Sequence, residues 1–80
     1  MSITKAAIQE KNSKRIHTGD RHVDIIRSAI KGGMMEEFDE GFLTNEGEFV
    51  NRYEAARIAL KSGQIKKPTE KLRSQDLWPD

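Results

Sequence analysis

The sequence has no cysteine and few prolines or aromatic residues: its 80 residues include two prolines, one tryptophan, one tyrosine and three phenylalanines. The lack of cysteine excludes disulfides, zinc sites built on thiolates and a cysteine nucleophile. No apolar run approaches the roughly 18 residues of a membrane-spanning helix, and no signal-peptide pattern opens the chain. These absences predict a soluble, cytosolic protein that does not enter membranes.

Charged residues are abundant, but the two signs almost cancel. Lysine and arginine total 14, aspartate and glutamate total 13, and the formal net charge is +1. This balance argues against an acidic mimic of nucleic acid and against a basic protein that coats DNA. The length predicts a single domain over residues 1–80 with a small core, because only 35% of the residues are hydrophobic. Domains of this size bury only about 60% of their unfolded surface, which favours a homo-oligomer over a marginal monomer.

The hydrophobic pattern predicts an α+β fold of the order ββαββα, with an antiparallel sheet, two helices and a docked C-terminal tail. The first hairpin joins residues 3–10 to residues 14–18 through an Asn-Ser turn. A three-residue loop places Ile16 opposite Ile8, and a two-residue loop places it opposite Gln9. We favour the three-residue loop, because it buries both isoleucines on one face.

The first helix is predicted to follow Asp20, which serves as its N-cap or as an acid in its first turn. The spacing of Val23, Ile26 and Ile30 predicts its buried stripe, which Ile25 and Ala29 widen. Its polar face then carries Arg21, His22, Asp24 and Arg27. Gly32-Gly33 ends the helix.

The second half of the chain begins with an acidic connection over residues 34–40, predicted to be a solvated linker above Phe38. A hairpin over residues 41–50 follows, with a tight turn at Asn45-Glu46-Gly47. The second helix starts at the N-cap Asn51, with Glu54 as capping-box partner. Its predicted apolar stripes are Tyr53, Ala56 and Leu60, and beside them Ala55, Ile58 and Ala59.

The segment over residues 64–80 is predicted to be an extended tail, because Pro68 opposes helix and the composition turns basic. Leu72, Leu77 and Trp78 are too apolar for a free tail. We expect them to dock on the same protomer or on a neighbour, with Asp80 frayed.

Catalytic templates fit the sequence poorly. His17 and His22 are five residues apart, and no third residue stands at a spacing that would complete a metal site. No phosphate loop, dinucleotide fingerprint or nucleophile elbow is present. The sequence therefore predicts a protein that is not an enzyme and that holds no metal or cofactor.

Binding of a phosphate-bearing small molecule fits better. Arg21 and His22 lie at the start of the first helix, and Asn51 and Arg52 lie at the start of the second. The positive end of a helix dipole and free backbone N–H groups favour an anion at such positions. The alternative is that Asn51 only caps its helix while the other side chains are solvated.

Two further groups of residues fit both a binding role and a structural role. Phe42 or Phe49 can stack on a nucleobase, or pack in the core. The basic residues of the tail can line a phosphate site or remain solvated. They are Lys66, Lys67, Lys71 and Arg73.

Four segments together resemble a group of small phage and prophage proteins. They are ITKAAI, TGDRHVDII, GFLTNEGEFVNRYEAARIALKSGQI and LRSQDLW, within Ile3 to Trp78. The shared pattern is a Gly-x-Arg-His helix start, a Gly-Phe-x-Thr hairpin, a Phe-Val-x-Arg-x-Glu-Ala helix and a closing Leu-x-Ser-Glu-Asp-Leu. The chain departs from it at Gln75 and in the short connection between Gly33 and Gly41. On this pattern the chain resembles the first type of Thoeris anti-defence protein.

This resemblance implies a phage protein that binds and sequesters cyclic ADP-ribose isomers made by bacterial TIR-domain immune proteins, without cleaving them. Some members also bind cyclic oligonucleotides, and the ligand pockets of the family lie at a dimer interface. Such a protein works in the cytoplasm of the host bacterium. The pocket residues implied by the matching positions are Arg21, Phe42, Asn51 and Arg52, with Arg73 beside the closing motif.

A phage inhibitor that acts by protein contact, such as an anti-CRISPR protein, is the competing hypothesis. The acidic residues between Glu36 and Glu40 and the basic tail would then be docking surfaces. A small regulator that binds nucleic acid is a third hypothesis, which the balanced charge weakens.

Overall fold

The computed structural model describes residues 1–78 and has the predicted α+β architecture. In chain order the elements are β1 (Ile3–Glu10), β2 (Ile16–Gly19), α1 (His22–Lys31), β3 (Phe38–Thr44), β4 (Phe49–Asn51), α2 (Arg52–Lys61) and α3 (Ser74–Leu77). The antiparallel sheet and the two main helices are confirmed. The four-residue helix α3 lies inside the segment predicted to be extended, so that segment is not extended throughout.

The four strands form one antiparallel sheet in the order β2-β1-β3-β4. The core lies on the face of the sheet that both main helices cover. Ile8 and Phe42, both fully buried, come from the two central strands, and Ala55 and Ala59 come from α2. No helix among residues 1–78 is long and apolar enough to cross a membrane.

The first hairpin has a different register from the favoured prediction. Ile16 pairs with Gln9, and Ile8 pairs with His17. This is the pairing of the alternative prediction, but the loop has four residues instead of two, and in it Lys14 has a positive φ of 64°. The carboxylate of Glu36 holds this loop by accepting the backbone N–H groups of Asn12 at 2.8 Å and Ser13 at 3.0 Å. Ile16 consequently remains 38% exposed.

Helix α1 is rotated relative to the prediction. Its buried residues are His22, Ile25 and Ala29, whereas Val23 is 60% exposed and Ile30 is 58% exposed. The predicted flank of the stripe, Ile25 and Ala29, is confirmed as buried, and Ile26 is partly buried against the core. The buried face is therefore centred on that flank, and Val23 and Ile30 at the other side of the stripe are exposed. The N-cap is Arg21 rather than Asp20, and no side chain caps the helix there. The predicted end of the helix at the glycine pair is confirmed, with Gly33 at a φ of 98°.

The connection between α1 and β3 is shorter than predicted. Phe38 already belongs to β3, so Asp39 and Glu40 are strand residues and not part of a solvated linker. The following hairpin has the predicted turn, with Gly47 at a φ of 81°. At the N-terminus of α2, the side-chain oxygen of Asn51 accepts the backbone N–H of Glu54 at 2.8 Å, which confirms the predicted cap.

The C-terminal segment packs on its own chain. Leu72 is fully buried, and Leu77 and Trp78 are partly buried against the core. The side-chain amide of Gln64 further binds the main chain of Ile3, accepting from its N–H and donating to its carbonyl, each at 2.8 Å. The predicted fraying of Asp80 lies outside the described residues.

Candidate functional site

One cavity brings together four of the six predicted site residues. It has a volume of about 380 Å³. The predicted residues in its lining are Arg21, His22, Arg52 and Arg73. Glu40, Val23 and Ile26 also line it, and we call it the arginine cavity.

Strand register explains why the starts of the two main helices meet there. One row of paired residues crosses all four strands: Thr18, Ala7, Gly41 and Asn51. The strands β2 and β4 therefore end at nearly the same level of the sheet, and each is followed closely by a helix. The N-cap Arg21 and the first helical residue Arg52 thus approach the same region from the two edges of the sheet.

The third arginine is placed by its neighbour in the chain. Leu72 is buried in the core, and its backbone N–H donates to the carbonyl of Arg52 at 3.1 Å. This contact sets Arg73 beside the start of α2. The side chain of Arg73 is 69% exposed and lies 3.6 Å from the carboxylate of Asp76, measured from Nη2 to Oδ1.

Arg52 is held by a short ion pair. Its Nη2 donates to Oε1 of Glu40 at 2.6 Å, and its side chain is 30% exposed. Its Nε is buried and finds no acceptor among residues 1–78. Three guanidinium groups therefore line one cavity, and two of them are paired with carboxylates: Arg52 with Glu40 and Arg73 with Asp76.

His22 contributes to the cavity wall as an uncharged group. Its ring is buried, its Nε2–H donates to the carbonyl of Gly41 at 2.7 Å, and its ring meets Phe42 edge-on at 5.0 Å. Desolvation by burial lowers the pKa of His22, and the nearby positive charge of Arg52 lowers it further. The imidazole is therefore neutral at pH 7 and ties the start of α1 to β3. The prediction that His22 lies on the polar face of this helix is wrong, because its ring is buried.

Phe42 and Asn51, the other two predicted residues, lie outside the arginine cavity. Phe42 is fully buried, with its ring centroid 6.4 Å from that of Trp78, so it presents no surface on which a base can stack. Its alternative role in the core is the one the structure supports. Asn51 lines a neighbouring cavity of about 560 Å³ together with Phe49, Tyr53 and Lys71, which we call the aromatic cavity.

Sequence reasoning placed Tyr53 in a buried stripe, but the residue is 47% exposed. It also missed the pair formed by Glu10 and His17, whose Oε2 and Nε2 atoms are 2.6 Å apart beside a third cavity of about 610 Å³. The sequence indicated this contact only through the positions of the two residues on the adjacent strands of the first hairpin. Residues 1–78 contain no group of three or more acidic or histidine side chains suited to a metal ion.

These features define a small α+β protein with an arginine-lined cavity at the meeting point of its helix starts. A model of the phage T4 y16D protein family matches residues 2–78, so the chain belongs to that family of phage proteins. The prediction of a small phage protein is thereby confirmed, and the assignment to the Thoeris anti-defence proteins stays a prediction. Neither a search of curated proteins nor a search of solved structures finds a significant match.

Proposed function

We propose that the protein binds a cyclic nucleotide immune signal in the arginine cavity and sequesters it without cleaving it. The ligand is a cyclic ADP-ribose isomer or a cyclic oligonucleotide. The observation that carries the proposal is the convergence of Arg21, Arg52 and Arg73 on one concave surface. Guanidinium groups bind phosphate oxygens through charge-assisted, frequently bidentate hydrogen bonds, and a diphosphate offers several such acceptors.

The start of α1 adds to the attraction for an anion. Among residues 1–78 no side chain caps this helix, and the N-terminus of a helix favours an anion through its backbone N–H groups and its dipole. Glu40 opposes an anion but is already paired with Arg52. The two side chains of the cavity that could accept a proton both have structural roles, since Glu40 is held by Arg52 and His22 is buried and donates to Gly41. This arrangement suits retention of a ligand better than its turnover.

Sequestration explains how such a small phage protein would act in the host cytoplasm. A sponge needs only affinity and abundance, because each bound signal molecule is withheld from the host effector it would activate. The protein would therefore act without enzymatic activity, cofactor or DNA contact.

The binding proposal predicts a large loss of affinity when Arg52 is replaced by glutamine. Each lost charge-assisted hydrogen bond is worth about 1.5–3 kcal/mol, so affinity for cyclic ADP-ribose isomers should fall roughly ten- to a hundredfold. Isothermal titration calorimetry measures the change, and thermal melting checks the fold. Arg57→Gln is the matched control, because Arg57 lies on the same helix, is exposed and does not line the cavity.

Two outcomes would contradict the binding proposal. Equal affinities for wild type, Arg52→Gln and Arg57→Gln would place the ligand elsewhere. Wild-type protein that binds no cyclic ADP-ribose isomer or cyclic oligonucleotide, and that releases no small nucleotide when heat-denatured after purification from signal-producing cells, would remove the sponge function.

The protein is further proposed to be a homo-oligomer that associates through α1. Val23, Ile26 and Ile30 form an apolar stripe with spacings of three and four residues, and the first and last are more than half exposed. Val23 and Ile26 also line the arginine cavity, so a second copy would cover its rim.

Light scattering coupled to size-exclusion chromatography tests this association. Wild-type protein at micromolar concentration should have at least twice the 9.1 kDa mass of the chain. Ile30→Glu should shift it to the monomer, because the variant places a charge in a contact that association would bury. Leu60→Glu, at an exposed leucine on α2, should not. A wild-type mass of one chain would refute the proposal.

An inhibitor that acts by protein contact is the second candidate. It is favoured by the exposed acidic residues Glu37 and Asp39 and by the exposed basic residues Lys66 and Lys67. Glu36 no longer supports it, since its carboxylate is occupied by backbone N–H groups of the first hairpin. This function becomes the preferred one if the wild-type protein binds no nucleotide.

A further inference from the structure

The arginine cavity and the aromatic cavity are not independent, because both are lined by Glu40 and Arg52. Arg52 is the first residue of α2 and Tyr53 is the second, so a cationic and an aromatic side chain stand next to each other at the helix start. A ligand that extends past the pair formed by Arg52 and Glu40 would leave the arginine-lined surface and meet aromatic rings.

The two aromatic residues of this cavity differ in how tightly they are held. The ring of Phe49 packs over Gly41, since a Cβ added at that glycine would lie only 2.7 Å from its Cζ. Phe49 is therefore a fixed wall of the cavity. Tyr53 is 47% exposed and carries the ammonium group of Lys71, whose Nζ lies 5.5 Å from the ring centroid. The π-face of Tyr53 is therefore not packed into the core, and a mobile lysine side chain covers it.

We propose that Tyr53 is the residue on which the base of the bound nucleotide stacks, with the diphosphate in the arginine cavity. This inference rests on the proposed function and specifies a ligand that joins a phosphate group to a planar heterocycle. Tyr53 takes the role that the sequence suggested for Phe42, which is buried. Asn51 lies beside it, and its cap uses only the side-chain oxygen, so the amide N–H groups can donate to a ring nitrogen.

Lys71 has a place in the same arrangement. A base that stacks on Tyr53 would displace the ammonium group from the ring. The flexible lysine side chain can then turn towards the negatively charged phosphates. The stacking site is thus covered by a cation in the free protein and uncovered by the ligand.

Tyr53 is the only tyrosine of the chain, so its ring protons provide an unambiguous NMR signal. When the wild-type protein is saturated with a cyclic ADP-ribose isomer, ring-current shielding by the adenine should move these resonances upfield. Tyr53→Leu should lower the affinity about 5- to 150-fold by calorimetry, the range expected for one base–aromatic stack. Tyr53→Phe should retain wild-type affinity, and Leu60→Ala, at an exposed position of α2 outside both cavities, should have no effect.

The outcomes separate this inference from the proposed function. Calorimetric binding without a shift of the Tyr53 resonances, or with unchanged affinity in Tyr53→Leu, would overturn the stacking role and leave ligand binding intact. A loss of affinity in Tyr53→Leu that Tyr53→Phe does not restore would also overturn it, because the phenol rather than the ring would then be required. If the wild-type protein binds no cyclic nucleotide, both the inference and the proposed function fail.

Discussion

Replacing Phe42 by alanine should lower the free energy of unfolding by about 3–5 kcal/mol, as expected for a large aromatic side chain removed from a packed core. The ring is fully buried between strands and tail, where it contacts His22 and lies near Trp78. For a domain of this size such a loss is a large part of the total stability. Equilibrium denaturation with urea, followed by far-ultraviolet circular dichroism, measures it.

Phe42→Leu is the control that separates packing from ligand contact. Leucine keeps most of the apolar volume, so stability should fall by only about 1 kcal/mol and affinity for the nucleotide should be kept. A variant that keeps its stability but loses affinity would restore Phe42 as a ligand contact. An alanine variant as stable as the wild type would contradict its place in the core.

The case of α1 shows what periodicity can and cannot predict. Residues 22, 25 and 29 have the same spacing as residues 23, 26 and 30. Hydropathy predicts burial of the second triplet, because all three of its members are aliphatic. The structure buries the first, because the Nε2–H of His22 finds the carbonyl of Gly41, 19 residues away. A polar side chain can be buried when its hydrogen bond is made, and that partner is invisible to a local pattern.

The register of the first hairpin was predicted wrongly for a related reason. Its register depends on a four-residue loop that Glu36 holds from beyond α1, through bonds to Asn12 and Ser13. By contrast, the second hairpin and the cap at Asn51 were predicted well, because their signals are contained within a few consecutive residues.

The same distinction between local and tertiary signals applies to the residues of the candidate site. Arg21 and Arg52 were predicted to be binding residues because each lies at the start of a helix, which is a local property of the sequence. That they line one cavity depends on the register across four strands, and the position of Arg73 depends on where Leu72 is buried. The exposure of Tyr53 is likewise a tertiary property, since the neighbouring alanines face the core and leave the tyrosine outside.

Leu72 links the stability of the fold to the site, and Leu72→Ala should have the second large effect. The side chain is fully buried and belongs to the core cluster, so its truncation should cost about 2–5 kcal/mol. Because the backbone N–H of Leu72 also binds the carbonyl of Arg52, a loosened tail would withdraw Arg73 from the arginine cavity. Affinity for the nucleotide should therefore fall even under conditions in which the variant is still folded.

Leu60→Ala is the matched control for this variant, because it makes the same chemical change at an exposed position of α2. It should cost much less stability and leave affinity unchanged, since a partly exposed leucine loses little buried area and leaves no internal cavity. Hydrogen exchange should also detect earlier opening of residues 72–78 in Leu72→Ala than in Leu60→Ala.

If the two variants were equally stable and exchanged alike, the tail would not be anchored by Leu72. If Leu72→Ala were destabilised but bound as tightly as the wild type, Arg73 would not belong to the proposed binding site, and recognition of the phosphates would rest on Arg21 and Arg52.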